Sequence, residues 1–127
     1  PGEVSLNYGL RIDTLGVLGY DVRRLTENAA FARSSVATTA GVWAALGGSY
    51  DLDGNTLSVV IDETVTTVTP SGVPTPELID APLFIGRSGA KDDFRYYAGD
   101  LDALRIMDRP LLAAERQKYP VLSWQPR

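Results

Sequence analysis

Oxygen-bearing and aromatic side chains carry most of the chemistry this sequence offers. Asp51, Asp53 and Asn55 set three oxygen donors at alternate positions, the kind of spacing a hard cation such as calcium uses. Gly54 stands in the wrong place for a calcium loop, and no downstream Glu closes the cage. A plain Asp-Gly hairpin turn is therefore the expectation there, with a bound calcium ion the lesser alternative. Asp92-Asp93, between Lys91 and Arg95, reads as a solvated polar loop. Aromatic rings can stack on sugars, and Phe94, Tyr96, Tyr97, Tyr119 and Trp124 supply them. Tyr96 points away from Tyr97 and is the ligand-binding candidate. Equally telling is what is missing. With no His and no Cys, a Ser-His-Asp triad, a His- or Cys-ligated zinc site, a thiolate nucleophile and a disulfide framework are all ruled out. No cofactor is expected.

The chain of 127 residues is one domain's worth of material, enough for a self-standing core. Its 16 acidic against 12 basic residues, net −4, disfavour a nucleic-acid partner. No apolar run approaches the length of a membrane helix. The sequence opens on Pro1 rather than Met, as a processed product or part of something longer does.

The elements that must position those side chains are extended. Val, Ile and Thr are abundant while Lys and Met are scarce, a bias toward pleated surfaces. Leu6, Tyr8, Leu10 and Ile12 alternate with Asn7, Gly9, Arg11 and Asp13, and Leu18, Tyr20 and Val22 with Gly19, Asp21 and Arg23. With a short turn at Thr14–Gly16 between them, the two runs predict an antiparallel hairpin. A weaker strand is expected over 29–36. The stretch from Gly41 to Tyr50 is apolar on both faces, and its Gly47-Gly48 suggests a close backbone approach. At Asp51–Asn55 the Asp-Gly pair is expected to supply positive φ. Leu57, Val59 and Ile61 mark another strand, and a Thr/Val run continues to Thr69. Prolines between Pro70 and Pro82 mark a long connection, after which Leu83 and Ile85 begin a further short strand. Residues 97–107 read as a last extended stretch whose alternation slips, with a bulge near Asp102. Asp108-Arg109-Pro110 then opens one short helix at about 110–118, followed by a tail at 119–127. Eight or so short strands predict a two-layer antiparallel sandwich or a barrel.

Several of these segments resemble one family. Trp43-x-x-Leu46 with Gly48-x-Tyr50-Asp51, Leu57-x-Val59-x-Ile61-Asp62, Pro82-Leu83-Phe84-Ile85-Gly86-Arg87, and Tyr97-Ala98-Gly99-Asp100-Leu101-Asp102-Ala103-Leu104-Arg105-Ile106 occur in the order of laminin-G-like, concanavalin A-like lectin-glucanase jelly-roll domains. The resemblance runs over about residues 6 to 116, through Asp108-Arg109-Pro110-Leu111 and Glu115 of a closing helix. It implies an all-β, two-sheet antiparallel jelly roll forming a single domain over 1–127, with that C-terminal helix. It also implies that Trp43 and Tyr97 are core residues. Two departures stand out. Glu63 occupies a position usually held by Gly, and the opening strands of the family have no counterpart. Those strands could come from a partner chain, a swapped copy or another part of the polypeptide, or the roll closes by itself.

The same resemblance raises glucanase activity, which needs two carboxylates about 5 to 5.5 Å apart. Asp100 and Asp102 share strand parity, but Arg105 stands where the second acid is required. Asp102 is expected instead to turn inward and hold backbone or Arg groups, and no catalytic residue is expected. The resulting expectation is a non-enzymatic, lectin-like module recognising a glycan or a protein surface, with an adhesive role, outside the cell, on a cell surface or on a virion. The alternative is a structural or assembly protein, such as a virion decoration or fibre component, completed by self-association or a partner chain.

Overall fold

The computed structural model describes residues 8–22, 30–71, 83–87 and 96–110. Six strands occur among them: β1 (Tyr8–Ile12), β2 (Val17–Val22), β3 (Ala30–Ala37), β4 (Leu46–Asp51), β5 (Thr56–Ile61) and β6 (Thr64–Val68). They make two three-stranded antiparallel sheets, ordered β1-β2-β3 and β4-β5-β6. The fold is all-β, and the two layers face each other.

The first hairpin forms where the alternation predicts it. Leu10 lies opposite Tyr20 and Ile12 opposite Leu18, so the apolar set of both strands shares the face turned to the core. Asp13 closes the hairpin: its Oδ1 accepts the N–H groups of Leu15 and Val17 at 2.9 and 3.0 Å. Its Oδ2 meets the Arg33 guanidinium at 2.6 Å. Gly16, with φ of +79°, completes the turn, and Thr38 binds its carbonyl through both N–H and hydroxyl.

The pairing of β2 with β3 shifts between Val17 and Gly19. At this bulge the Ser34 hydroxyl accepts the Leu18 N–H at 3.0 Å and donates to the Val36 carbonyl at 2.6 Å, so a side chain replaces a missing ladder bond. Beyond the bulge Ser35 turns to the other sheet, where its N–H donates to Thr66 Oγ1 at 3.0 Å. The β3 and β6 margins are thereby tied together.

Leu18, Val22, Ala30 and Ala32 of the first sheet pack against Leu57, Val59 and Ile61 of the second. Burying each large aliphatic side chain contributes about 1.5–3 kcal/mol, so this cluster is the main source of cohesion. Ser58 and Val60, on the other face of β5, are also buried. The β4–β5 turn differs from expectation in one respect. Positive φ falls on Asn55 (+47°) rather than on Gly54. At Gly54 the Asp51 carboxylate folds over the backbone and accepts its N–H at 3.1 Å, so a Cβ there, 2.9 Å from that carboxylate, would push the Asp51 side chain aside. At the β5–β6 turn the left-handed residue is Asp62 (+52°), so Glu63 fits without a glycine.

Later segments depart further. Among the described residues, the strand expected from Leu83 is represented by an antiparallel bridge between Arg87 and Tyr96. Residues 97–107 form no strand. Their backbone breaks at Ala103 (φ +53°), next to the expected irregularity at Asp102, and Leu101, Leu104 and Ile106 stay exposed. The expected helix at 110–118, past its first residue, and the tail at 119–127 lie outside the described residues, as do Asp92, Asp93, Phe94, Tyr119 and Trp124. No helix among the described residues is long and apolar enough to cross a membrane.

Candidate functional site

The 83–87 and 96–97 segments bring exposed aromatic and cationic groups together. Arg87 and Tyr96 are directly opposed across the bridge, and the Tyr97 N–H donates to the Gly86 carbonyl at 2.7 Å, holding the two chains side by side. Tyr96 is 66% exposed, the surface position expected of it. Phe84 and Arg87 are three residues apart and would point to opposite sides of a regular strand. Gly86, at φ +80°, breaks that alternation. The Arg87 guanidinium comes to lie 4.6 Å above the centre of the Phe84 ring. Arg87 and Phe84 were not singled out by sequence; the signal for them was Gly86 between an aromatic and a cation. The arrangement can offer an aromatic face to an apolar sugar edge and a fixed planar donor to an anionic or hydroxyl-rich one.

Other sequence candidates behave differently. Asp51 serves its own turn, its Oδ1 accepting the Gly54 N–H, while Asn55 reaches past β6, its Nδ2 donating to the Pro70 carbonyl at 3.2 Å. Asn55 Oδ1 is buried without a hydrogen-bond partner, while Asp53 stands exposed on the turn. Among the described residues no three acidic, His or Cys side chains gather to share a metal ion. Asp100 and Asp102 are both exposed, and Asp102 Oδ1 accepts the N–H of its neighbour Ala103 at 2.8 Å. Trp43 and Tyr97, expected in the core, are instead 49% and 44% exposed. Both lie outside the six strands. The Tyr97 hydroxyl reaches only the Asp100 carbonyl, at 3.4 Å.

Two facing antiparallel sheets closed by an aliphatic core define an all-β sandwich module. A laminin G-type family model, described as the concanavalin A-like lectin/glucanases superfamily, matches residues 2–115. The chain belongs to that superfamily. Comparison with curated proteins gives no match. Among solved structures the chain is similar to residues 221–444 of an S-layer domain-containing protein from Clostridium thermocellum, with a TM-score of 0.58 and 22% identity. That likeness covers 83% of this chain and 52% of the other, so the chain spans about half of that structure. At this identity it speaks to the fold alone.

Proposed function

We propose that this domain is a non-catalytic, lectin-like jelly-roll module for recognition and adhesion on an extracellular or surface protein. The observation that carries the reading is the exposed Tyr96 ring set directly opposite Arg87 on a hydrogen-bonded ladder. A tyrosine face beside a guanidinium suits a glycan, with Arg87 favouring a sugar that bears a carboxylate or sulfate. The superfamily includes both lectins and glucanases, and the S-layer domain neighbour is in keeping with an exterior location. Asp100 and Asp102 act as loop residues rather than as an acid–nucleophile pair, so no turnover of β-glucans is expected.

Glycan-array binding by the wild-type chain and by Tyr96→Ala and Arg87→Ala tests this reading. Binding lost in Tyr96→Ala, with the thermal midpoint unchanged, supports it. No binding to any glycan, or binding indifferent to both substitutions, overturns it.

A further inference from the structure

We infer that the outer edge of β1 is a self-pairing surface that takes β1 of a second copy of this chain in antiparallel register. Among the described residues β1 is the terminal strand of its sheet. The Asp13 N–H donates to the Val17 carbonyl at 3.0 Å, which makes Asp13 and Val17 a hydrogen-bonded pair. Hydrogen-bonded and non-bonded pairs alternate in an antiparallel ladder, so Arg11 with Gly19 and Gly9 with Asp21 are bonded in turn. The main-chain donors and acceptors of Tyr8, Leu10 and Ile12 must therefore point away from β2, toward the open edge.

The side chains of the same three residues lie on the core-lining face. β2 faces β4 and β5, and β3 faces β5 and β6, whereas β1 reaches past that cover. Tyr8 and Leu10 are each 45% exposed, while Leu18 and Val22 beside them are buried. The β3 and β6 margins are protected: β3 carries the bulge, and Ser35 ties it to Thr66 of β6. β1 has an unbroken register, no proline and no lysine, which are the usual guards against edge pairing.

A two-fold axis at Leu10 makes the strand complementary to itself. Leu10 then meets Leu10 of the second copy, and Tyr8 meets Ile12, apolar against apolar on one face. On the other face Arg11 meets Gly9, so no like charges are opposed. Arg11 is also held on its own sheet, 5.1 Å above the Phe31 ring, and leaves the edge clear. With Arg11 drawn onto its own sheet, the Tyr8, Leu10 and Ile12 face of this five-residue edge is apolar and self-complementary, and specifies a second copy better than a charged foreign strand. Five residues a side is a small interface, so the association is a weak one.

The chain has no cysteine, which allows a clean test. Directly opposed residues in a hydrogen-bonded pair have Cα atoms about 5.5 Å apart, within disulfide reach. Under mild oxidation Leu10→Cys is expected to cross-link into a dimer much faster than Leu15→Cys, whose site on the β1–β2 turn is more exposed. Sedimentation equilibrium up to about 1 mM should show a monomer–dimer equilibrium, weakened about tenfold or more by Leu10→Lys, which opposes two like charges. Circular dichroism establishes that each variant is folded. Equal cross-linking at positions 10 and 15, or a folded wild-type chain that stays monomeric throughout, overturns the inference. So does a β1 edge that pairs only with a strand of a different protein.

Discussion

Gly48 lies against the ring of Tyr20 so closely that a Cβ at position 48 would overlap the ring carbons. The two residues belong to facing sheets, and the missing side chain of one makes room for the large side chain of the other. Gly48→Ala is expected to destabilise the domain by about 1–3 kcal/mol through overpacking. Chemical denaturation measures the loss, and Tyr20→Leu in the Gly48→Ala background should restore part of it.

Tyr20 also sets an alkaline limit. Burial, then repulsion from Tyr8, then from Asp21, raises its hydroxyl from 10.0 to about 12. A folded-state value above the unfolded one means full stability below pH 10 and progressive loss between about 10 and 12, as the unfolded chain releases its proton first. Tyr50 is raised in the same direction, by burial and then by Asp51. Thermal midpoints measured across pH 9 to 12 should fall, and Tyr20→Phe should flatten part of that slope. An unchanged slope in Tyr20→Phe would falsify the assignment to Tyr20.

Asp62 and Ala45 are joined twice, Asp62 N–H to the Ala45 carbonyl at 2.8 Å and Ala45 N–H to Asp62 Oδ1 at 2.9 Å. Asp62→Ala loses the second bond and places alanine at positive φ, costing about 1–3 kcal/mol. Asp62→Asn keeps an acceptor oxygen and tolerates the backbone, so its denaturation midpoint should lie close to the wild-type value.

Gly16 combines positive φ with a crowded site, where a Cβ would stand 2.7 Å from the Thr38 carbonyl oxygen. Gly16→Ala is expected to cost about 1–3 kcal/mol and to loosen the first hairpin. Hydrogen exchange should show the β1 and β2 amides losing protection relative to those of β5.

Elements whose partners lie close in sequence were readable before any coordinates. Leu10 and Tyr20 declare their hairpin because one face of each strand alternates cleanly and Asp13-Thr14-Leu15-Gly16 is sufficient turn chemistry. β5 declares itself through its own alternation, whereas the turn dividing it from β6 is not marked by glycine, because Asp62 takes the left-handed backbone itself. The bulge at Ser34 could not be read, because it answers a ladder bond left open by Leu18, a residue 16 positions away. Residues 97–107 misled in the opposite way: alternation and family likeness both suggest a strand, but a strand needs a neighbour, and Ala103 turns the backbone out of register. In the candidate site, the exposure of Tyr96 is legible from its parity. Arg87 was not, because its approach to Phe84 depends on the turn at Gly86.

Strand β5 is covered on both of its faces. Its central amides meet solvent only when the two layers separate, so their exchange reports global unfolding, while the outer hairpin can fray at smaller cost. Under tension or protease attack the domain should fail from its rim inward. Leu57 to Ile61 would be the last segment to yield.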